Sequence, residues 1–218
     1  MLVSCRKPES QPGIHSLSVR RIHFFEIGDQ SWCPETVRDA ITDYLQHAQQ
    51  VFQPYLAIVP LLQAALARAG THQIVDLCSG AGGSWSHLLP ALTAAGARVS
   101  VRFTDKFVNR SALSHLCATQ PEQLSCQPGP VDATAVPATL TGFRTLFSSF
   151  HHFRPATASA ILADAVRHGQ GIGIFELTQR SPRSLLRSVA VLPLVLWWAP
   201  QLRPFRRSRL LLTWFVPI

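Results

Sequence analysis

The sequence predicts an α/β fold, a mostly parallel sheet between two layers of helices. Three observations predict it. Short apolar runs starting at Ile74, Val99, Leu124, Leu146 and Ile172 alternate with longer helix-like segments, the order that parallel sheets require. The first run passes through an acid into a glycine-dense turn and then a helix start, IVDLCSGAGGSWS over 74–86, which is a strand–turn–helix unit. The chain of 218 residues, 47% of them hydrophobic, is large enough for one domain with a layered core.

Taken in order, residues 1–21 read as a loose polar tail and 22–218 as a single domain. Pro34 stands where a helix can start, since proline is tolerated at the first helical position. Val37, Ile41, Tyr44, Ala48 and Val51 then recur at helical spacing as one apolar stripe. A second helix is expected over about 55–69, interrupted by Pro60 and stopped by Gly70. These two helices form a cover over 22–70, ahead of a core at 71–180 and an apolar, basic segment at 181–218.

The glycine turn narrows the ligand. Gly80, Gly82 and Gly83 remove Cβ atoms and allow positive φ, so backbone can approach a ligand at a helix N-terminus. A dinucleotide fingerprint would need a third glycine where Trp85 stands, and a Walker-type loop would need a Gly-Lys-Ser/Thr that is missing. The plainer alternative is an ordinary tight turn. The second strand, Val99–Thr104, ends in Asp105, at the interval where a carboxylate meets ribose hydroxyls. Its alternative role is to cap the helix beginning near Asn109. Further along come Val131-Asp132-Ala133, after a third strand near Leu124–Cys126, and Leu146–Phe153 (LFSSFHHF), a fourth strand with a polar, aromatic edge. A helix over 156–168 leads through Gly169–Gly171 to a fifth strand, Ile172–Leu177, with Glu176 near its end.

Together these stations, over roughly 35–180, resemble the class I S-adenosylmethionine-dependent methyltransferases, with D-x-C-x-G-x-G (Asp76, Cys78, Gly80, Gly82) standing for their first motif. Cys78 departs from it, where a glycine is common. The resemblance implies a Rossmann-like three-layer sandwich that binds S-adenosylmethionine through Asp76, Ser79, Gly80, Ala81, Gly82, Asp105, Lys106, Asp132, Ala133 and Ser148. It places Asp132 near the adenine amino group, with Ala133 offering its backbone amide. It also implies methyl transfer to a small or medium-sized acceptor. His151 and His152 are the candidate bases, because imidazole titrates near neutrality. Adjacent residues on a strand point apart, so at most one would face the acceptor. The alternative is that one packs and the other caps the helix near Pro155. Neither has a third ligand at metal-binding spacing, and no metal is expected.

The C-terminus departs from the family's pattern, because too little chain follows Leu177 for a sixth and seventh strand. The strongly apolar run Leu185–Ala199, broken by Pro193, precedes Arg203, Arg206, Arg207 and Arg209, then Leu210–Val216, a strand or the start of a helix. The uncharged stretch Ser188–Leu202 is shorter than the ~20 residues of a spanning helix. With Trp197 and Trp198 it suggests peripheral membrane contact through 185–218. The formal charge of +8 allows nucleic acid as a partner, but no aromatic ladder is interleaved with the charges. Five cysteines (Cys5, Cys33, Cys78, Cys117, Cys126) form no C-x-x-C pair, which points to buried thiols in a reducing, cytoplasmic setting. Two readings stand beside the methyltransferase: a shortened cofactor-binding or interaction module without turnover, and a membrane-surface enzyme with a lipid-like acceptor.

Overall fold

The structure, a computed structural model, describes residues 27–177 and 193–201 together with Arg207, Leu210 and Thr213. The tail at 1–21 and most of 181–218, including Arg203, Arg206 and Arg209, lie outside these residues.

Helix α1 (Glu35–Phe52) begins one residue after Pro34, which takes the N-cap position with extended backbone. Ala40 and Tyr44 are its buried residues, whereas Val51, expected on the inner stripe, is 52% exposed. A 3-10 turn, Leu56–Ile58, leads into α2 (Val59–Ala69). Pro60 does not interrupt this helix. It sits in its first turn, where its missing N–H has no intrahelical partner to lose. Gly70 ends α2 at φ 62°, its N–H donating to the carbonyls of Leu66 and Ala67.

From there strands and helices alternate: β1 (Gln73–Leu77), α3 (Trp85–Ala94), β2 (Ser100–Thr104), α4 (Arg110–Thr119), β3 (Leu124–Cys126), β4 (Phe143–Phe147), α5 (Pro155–Arg167) and β5 (Ile172–Phe175). The sheet runs β3-β2-β1-β4-β5 with every pair parallel. The strand order reverses between β1 and β4, the place where open α/β sheets bind ligands. The fold is Rossmann-like, as the sequence predicts. Among the described residues there is no sixth strand.

The two sheet faces are filled differently. Ile74, Val101, Phe103 and Phe143 pack against Leu62, Leu66, Leu88, Leu92 and Leu113 of α2, α3 and α4. Each such buried side chain contributes about 1.5–3 kcal/mol. The other face sets Val75, Leu77 and Leu146 against Ile161 of α5 and against Val131, Val136 and Leu140. Those last three come from residues 127–142, which hold neither helix nor strand. Pro128, Pro130 and Pro137 remove the backbone donors a helix would need there. Under this face Arg144 of β4 is fully buried and donates to Asp164 of α5 at 2.8 Å. Among the described residues its Nε and second terminal nitrogen have no hydrogen-bond partner.

Residues 193–198 are helical, and Arg207, Leu210 and Thr213 are helical too; the rest of the stretch expected over Leu210–Val216 lies outside the described residues. Trp198 and Ala199 pack on Tyr44 of α1, whose hydroxyl shares a 2.6 Å hydrogen bond with Thr213. Trp198 is therefore a buried residue (8% exposed), not one at a headgroup boundary, while Trp197 is 69% exposed. No single helix among the described residues is long and apolar enough to cross a membrane.

Candidate functional site

The turn between β1 and α3 folds by alternating handedness. Cys78, Gly80 and Gly82 have φ of 55°, 55° and 69°, so the first of these carries a side chain in a region that costs L-residues roughly 1–2 kcal/mol. The turn closes on itself through Gly82 N–H to Ser79 O at 2.7 Å, and Ser79 Oγ donates to Asp76 O at 2.8 Å. Two glycines are needed for packing. A Cβ on Gly82 would lie 2.6 Å from Leu116 of α4, and one on Gly83 would lie 2.8 Å from Gln46 Cα of α1. Helix α1 also reaches the turn through Gln46 Nε2, which donates to Ala81 O at 3.3 Å, and through Gln49, which accepts from Ser84 at 3.1 Å. The turn is thus held between α1 and α4.

Carboxylates meet at its edge. Asp76, 2% exposed, accepts from Thr145 Oγ1 at 2.6 Å. Burial pushes its carboxyl up to about 7 and nearby Asp105 adds to the effect, opposed first by the Thr145 hydroxyl. Asp105 accepts from Gly80 N–H and from Phe107 N–H, both at 2.8 Å. Its carboxyl is also raised by burial, against those N–H groups and the charge of Arg38. Asp105 does not cap α4; Asn109 does, accepting from Ala112 N–H at 3.1 Å. Arg38 sits on α1, its guanidinium 4.0 Å over the Phe107 ring, and donates to the carbonyls of Gly28 and Gln30. Lys106 pairs with Asp132 at 3.2 Å, and Asp132 also accepts from the Thr134 hydroxyl and N–H. These contacts hold the Asp132 carboxyl below its usual range, the Thr134 hydroxyl first among them. Ala133 is buried.

Where β4 and β5 end, polar side chains make the contacts, with one another and with backbone N–H groups. Ser148, at φ 44°, shares a 2.7 Å hydrogen bond with Tyr55 and accepts from Leu177 N–H. Burial drives the Tyr55 phenol up to about 12. Phe147 is ringed by Tyr55, Trp85 and Phe175 at centroid distances of 4.9–5.7 Å. His151 and His152 do not sit on a strand. β4 stops at Phe147 and both fall in a 3-10 turn, Phe150–His152, with ring centroids 4.3 Å apart. They share a side rather than pointing apart, and Arg154, not a histidine, occupies the N-cap of α5. His151 Nδ1 lies 2.6 Å from Glu176 Oε2, and Phe150 N–H donates to Glu176 Oε1 at 2.8 Å. Burial alone would raise Glu176, but His151 and these N–H groups hold it below its usual range.

The sites expected at Asp76, Ser79, Gly80, Ala81, Gly82 and Asp105 come together along one edge, the carboxyl ends of β1 and β2, with Lys106, Asp132 and Ala133 beside them. Ser148, His151 and His152 follow the neighbouring end of β4. The sequence reading missed Thr145, Tyr55 and Arg38. Thr145 could have been found by pairing β4 against β1; the other two approach from the helical cover with no motif. Two cavities of about 300 and 590 Å³ open at the opposite end of the sheet, around Ser100, Arg102 and Ser125 and around Arg68, Gly142 and Gln170, away from these residues. Among the described residues no group of three His, Cys, Asp or Glu side chains could hold a metal ion.

No family model and no curated protein matches the chain. Solved structures do. One is an O-methyltransferase from neocarzinostatin biosynthesis, in complex with S-adenosylmethionine and 2-hydroxy-5-methyl naphthoic acid. It is 18% identical at a TM-score of 0.49, with 64% of this chain and 41% of that one covered. Another is an O-methyltransferase family protein from Burkholderia thailandensis, 16% identical at a TM-score of 0.49, with 77% and 56% covered. The chain thus spans about half or less of their lengths.

Proposed function

We propose that the chain binds S-adenosylmethionine along the carboxyl edge of β1, β2 and β4 and transfers its methyl group to a small acceptor. The observation that carries this reading is the 2.8 Å contact between Gly80 N–H and Asp105. It joins the glycine turn after β1 to the acid that ends β2, beside the buried carboxyl of Asp76. The donor set suits the cofactor, whose ribose hydroxyls, ammonium and adenine amino group are all donors that carboxylates accept. Asp105 would take the ribose, Asp76 and Ser79 the amino-acid end, and Asp132 with the Ala133 amide the adenine. Lys106 would tether Asp132, and Ser148 would border the methyl.

When bound, the cofactor supplies a methyl group already activated on a sulfonium. The chain's task is alignment, which supplies roughly 7–11 kcal/mol in favourable cases. An acceptor hydroxyl must also lose a proton. His151 is the base this reading favours over His152, because Glu176 accepts its Nδ1–H and so leaves the lone pair on Nε2.

Titration calorimetry with S-adenosylmethionine and S-adenosylhomocysteine, with NAD as control, tests the reading. Micromolar binding of both sulfur ligands and none of NAD is expected, and Asp105→Ala should weaken it about a hundredfold, the loss of two charge-assisted hydrogen bonds. No binding by a folded chain would overturn it. Binding without turnover on any acceptor would leave a non-catalytic module.

A further inference from the structure

One row of side chains crosses the sheet on the face that α5 and residues 127–142 cover. It reads Ser125, Arg102, Val75, Arg144 and Ile172, set by the parallel registers of β3, β2, β1, β4 and β5. Two arginines therefore flank Val75, and they differ in what lies over them. Arg144 is buried and pairs with Asp164 of α5. Arg102 is exposed, and among the described residues it has no hydrogen-bond or ion-pair partner. Parallel sheets are ordinarily covered on both faces and carry apolar residues on both. Beyond Val75 this one does not. Ser100, Arg102 and Ser125 line a groove of about 300 Å³ together with Gln73, Thr139 and Thr141, and no carboxylate lines it. A guanidinium set among neutral hydroxyl and amide donors suits an oxyanion.

We propose that this groove binds the phosphate group of a small phosphorylated molecule. The ligand supplies to Arg102 the counter-charge that Asp164 supplies to Arg144. The planar guanidinium takes two phosphate oxygens at once. Ser100, Ser125, Thr139 and Thr141 add hydroxyls from both the strands and the facing loop. A tetrahedral phosphate offers acceptor oxygens in several directions, whereas a carboxylate offers its two in one plane. A nucleic acid would present phosphates in a row, and Arg102 is the one cation that lines this groove. The groove shares no residue with the carboxyl edge, so the proposal stands whether or not the chain binds S-adenosylmethionine.

Titration calorimetry of the full chain with ribose 5-phosphate and with inorganic phosphate, against ribose as control, tests this. Saturable binding of both phosphates and none of ribose is expected, undiminished by S-adenosylhomocysteine. Arg102→Gln should weaken it at least about tenfold, the loss of a charge-assisted bidentate pair. Ser125→Asp sets a carboxylate beside Arg102 on the neighbouring strand and should abolish it. Both positions are exposed, and circular dichroism checks that each variant folds. No binding of either phosphate, or unchanged binding in folded Arg102→Gln, overturns the proposal. So does equal weakening in Arg110→Gln, whose exposed arginine lies on α4 outside the groove, since that marks general attraction to a basic chain. Phosphate displaced by S-adenosylhomocysteine would belong to the carboxyl edge instead. A short RNA that binds through Arg102 where ribose 5-phosphate does not would assign the groove to nucleic acid.

Discussion

The two halves of the carboxyl edge are built by different means. At β1 and β2 the turn is fixed by backbone, with positive φ at three alternate residues and helices on both sides close enough to exclude a Cβ. At β4 and β5 the edge is held through polar side chains, Tyr55 with Ser148, which also accepts from Leu177 N–H, and His151 with Glu176, which also accepts from Phe150 N–H. The first arrangement suits a part of a ligand that must not move. The second suits a group that has to accept a proton and adjust to an acceptor. Perturbing the first half should therefore cost the fold, and perturbing the second should mainly cost turnover.

The largest expected effect comes from Asp76. Its carboxyl titrates at about 7 in the folded chain against an ordinary 3.8, so the folded state holds the proton more tightly than the unfolded one. Stability from this group is fully present below about pH 4 and is lost as pH rises through 7, at most about 4 kcal/mol. Urea denaturation across that range should show the decline. Asp76→Asn, which mimics the protonated form, should flatten it; an equal slope in the variant would remove Asp76 as the cause.

Next comes Gly83→Leu, whose side chain meets the backbone of α1 at Gln46. A loss of about 2–3 kcal/mol is expected, with faster amide exchange over Glu35–Phe52. A variant as stable as the parent would mean that α1 is not seated on the turn. Tyr55→Phe keeps the ring against Phe147 and removes one hydrogen bond, for about 1 kcal/mol. The smallest structural effect belongs to Glu176→Gln, under about 1 kcal/mol for a pair this exposed. It should nonetheless lower kcat about tenfold with little change in the acceptor's KM. If stability fell further than at Gly83, the contrast between the two halves would fail.

The same contrast explains what could be read from the residues alone. Gly80 and Asp105 meet across 25 positions because one strand–helix–strand unit brings them together, so local spacing was enough. Tyr55 and Ser148 meet across 93 positions, and Tyr44 and Thr213 across 169. No local period encodes such pairs. The histidines were misjudged because strand geometry was extended past Phe147, where the positive φ of Ser148 ends it. Pro60 was misjudged because a proline that breaks a helix and one that starts it look alike until the preceding turn is known. The thin second layer over 127–142 was visible only as prolines that blurred a strand end.

Arg144 bears on the order in which the chain is made. Its guanidinium, fully buried on β4, is matched by Asp164, whose carboxyl also accepts from Val136 N–H at 3.3 Å. A buried cation without its partner costs several kcal/mol. During synthesis β1 to β3 can assemble as they emerge, but β4 cannot settle beside β1 until residue 164 has left the ribosome. Arrested chains that expose residues only up to about 155 should leave β4 open to protease, and chains that expose Asp164 should protect it.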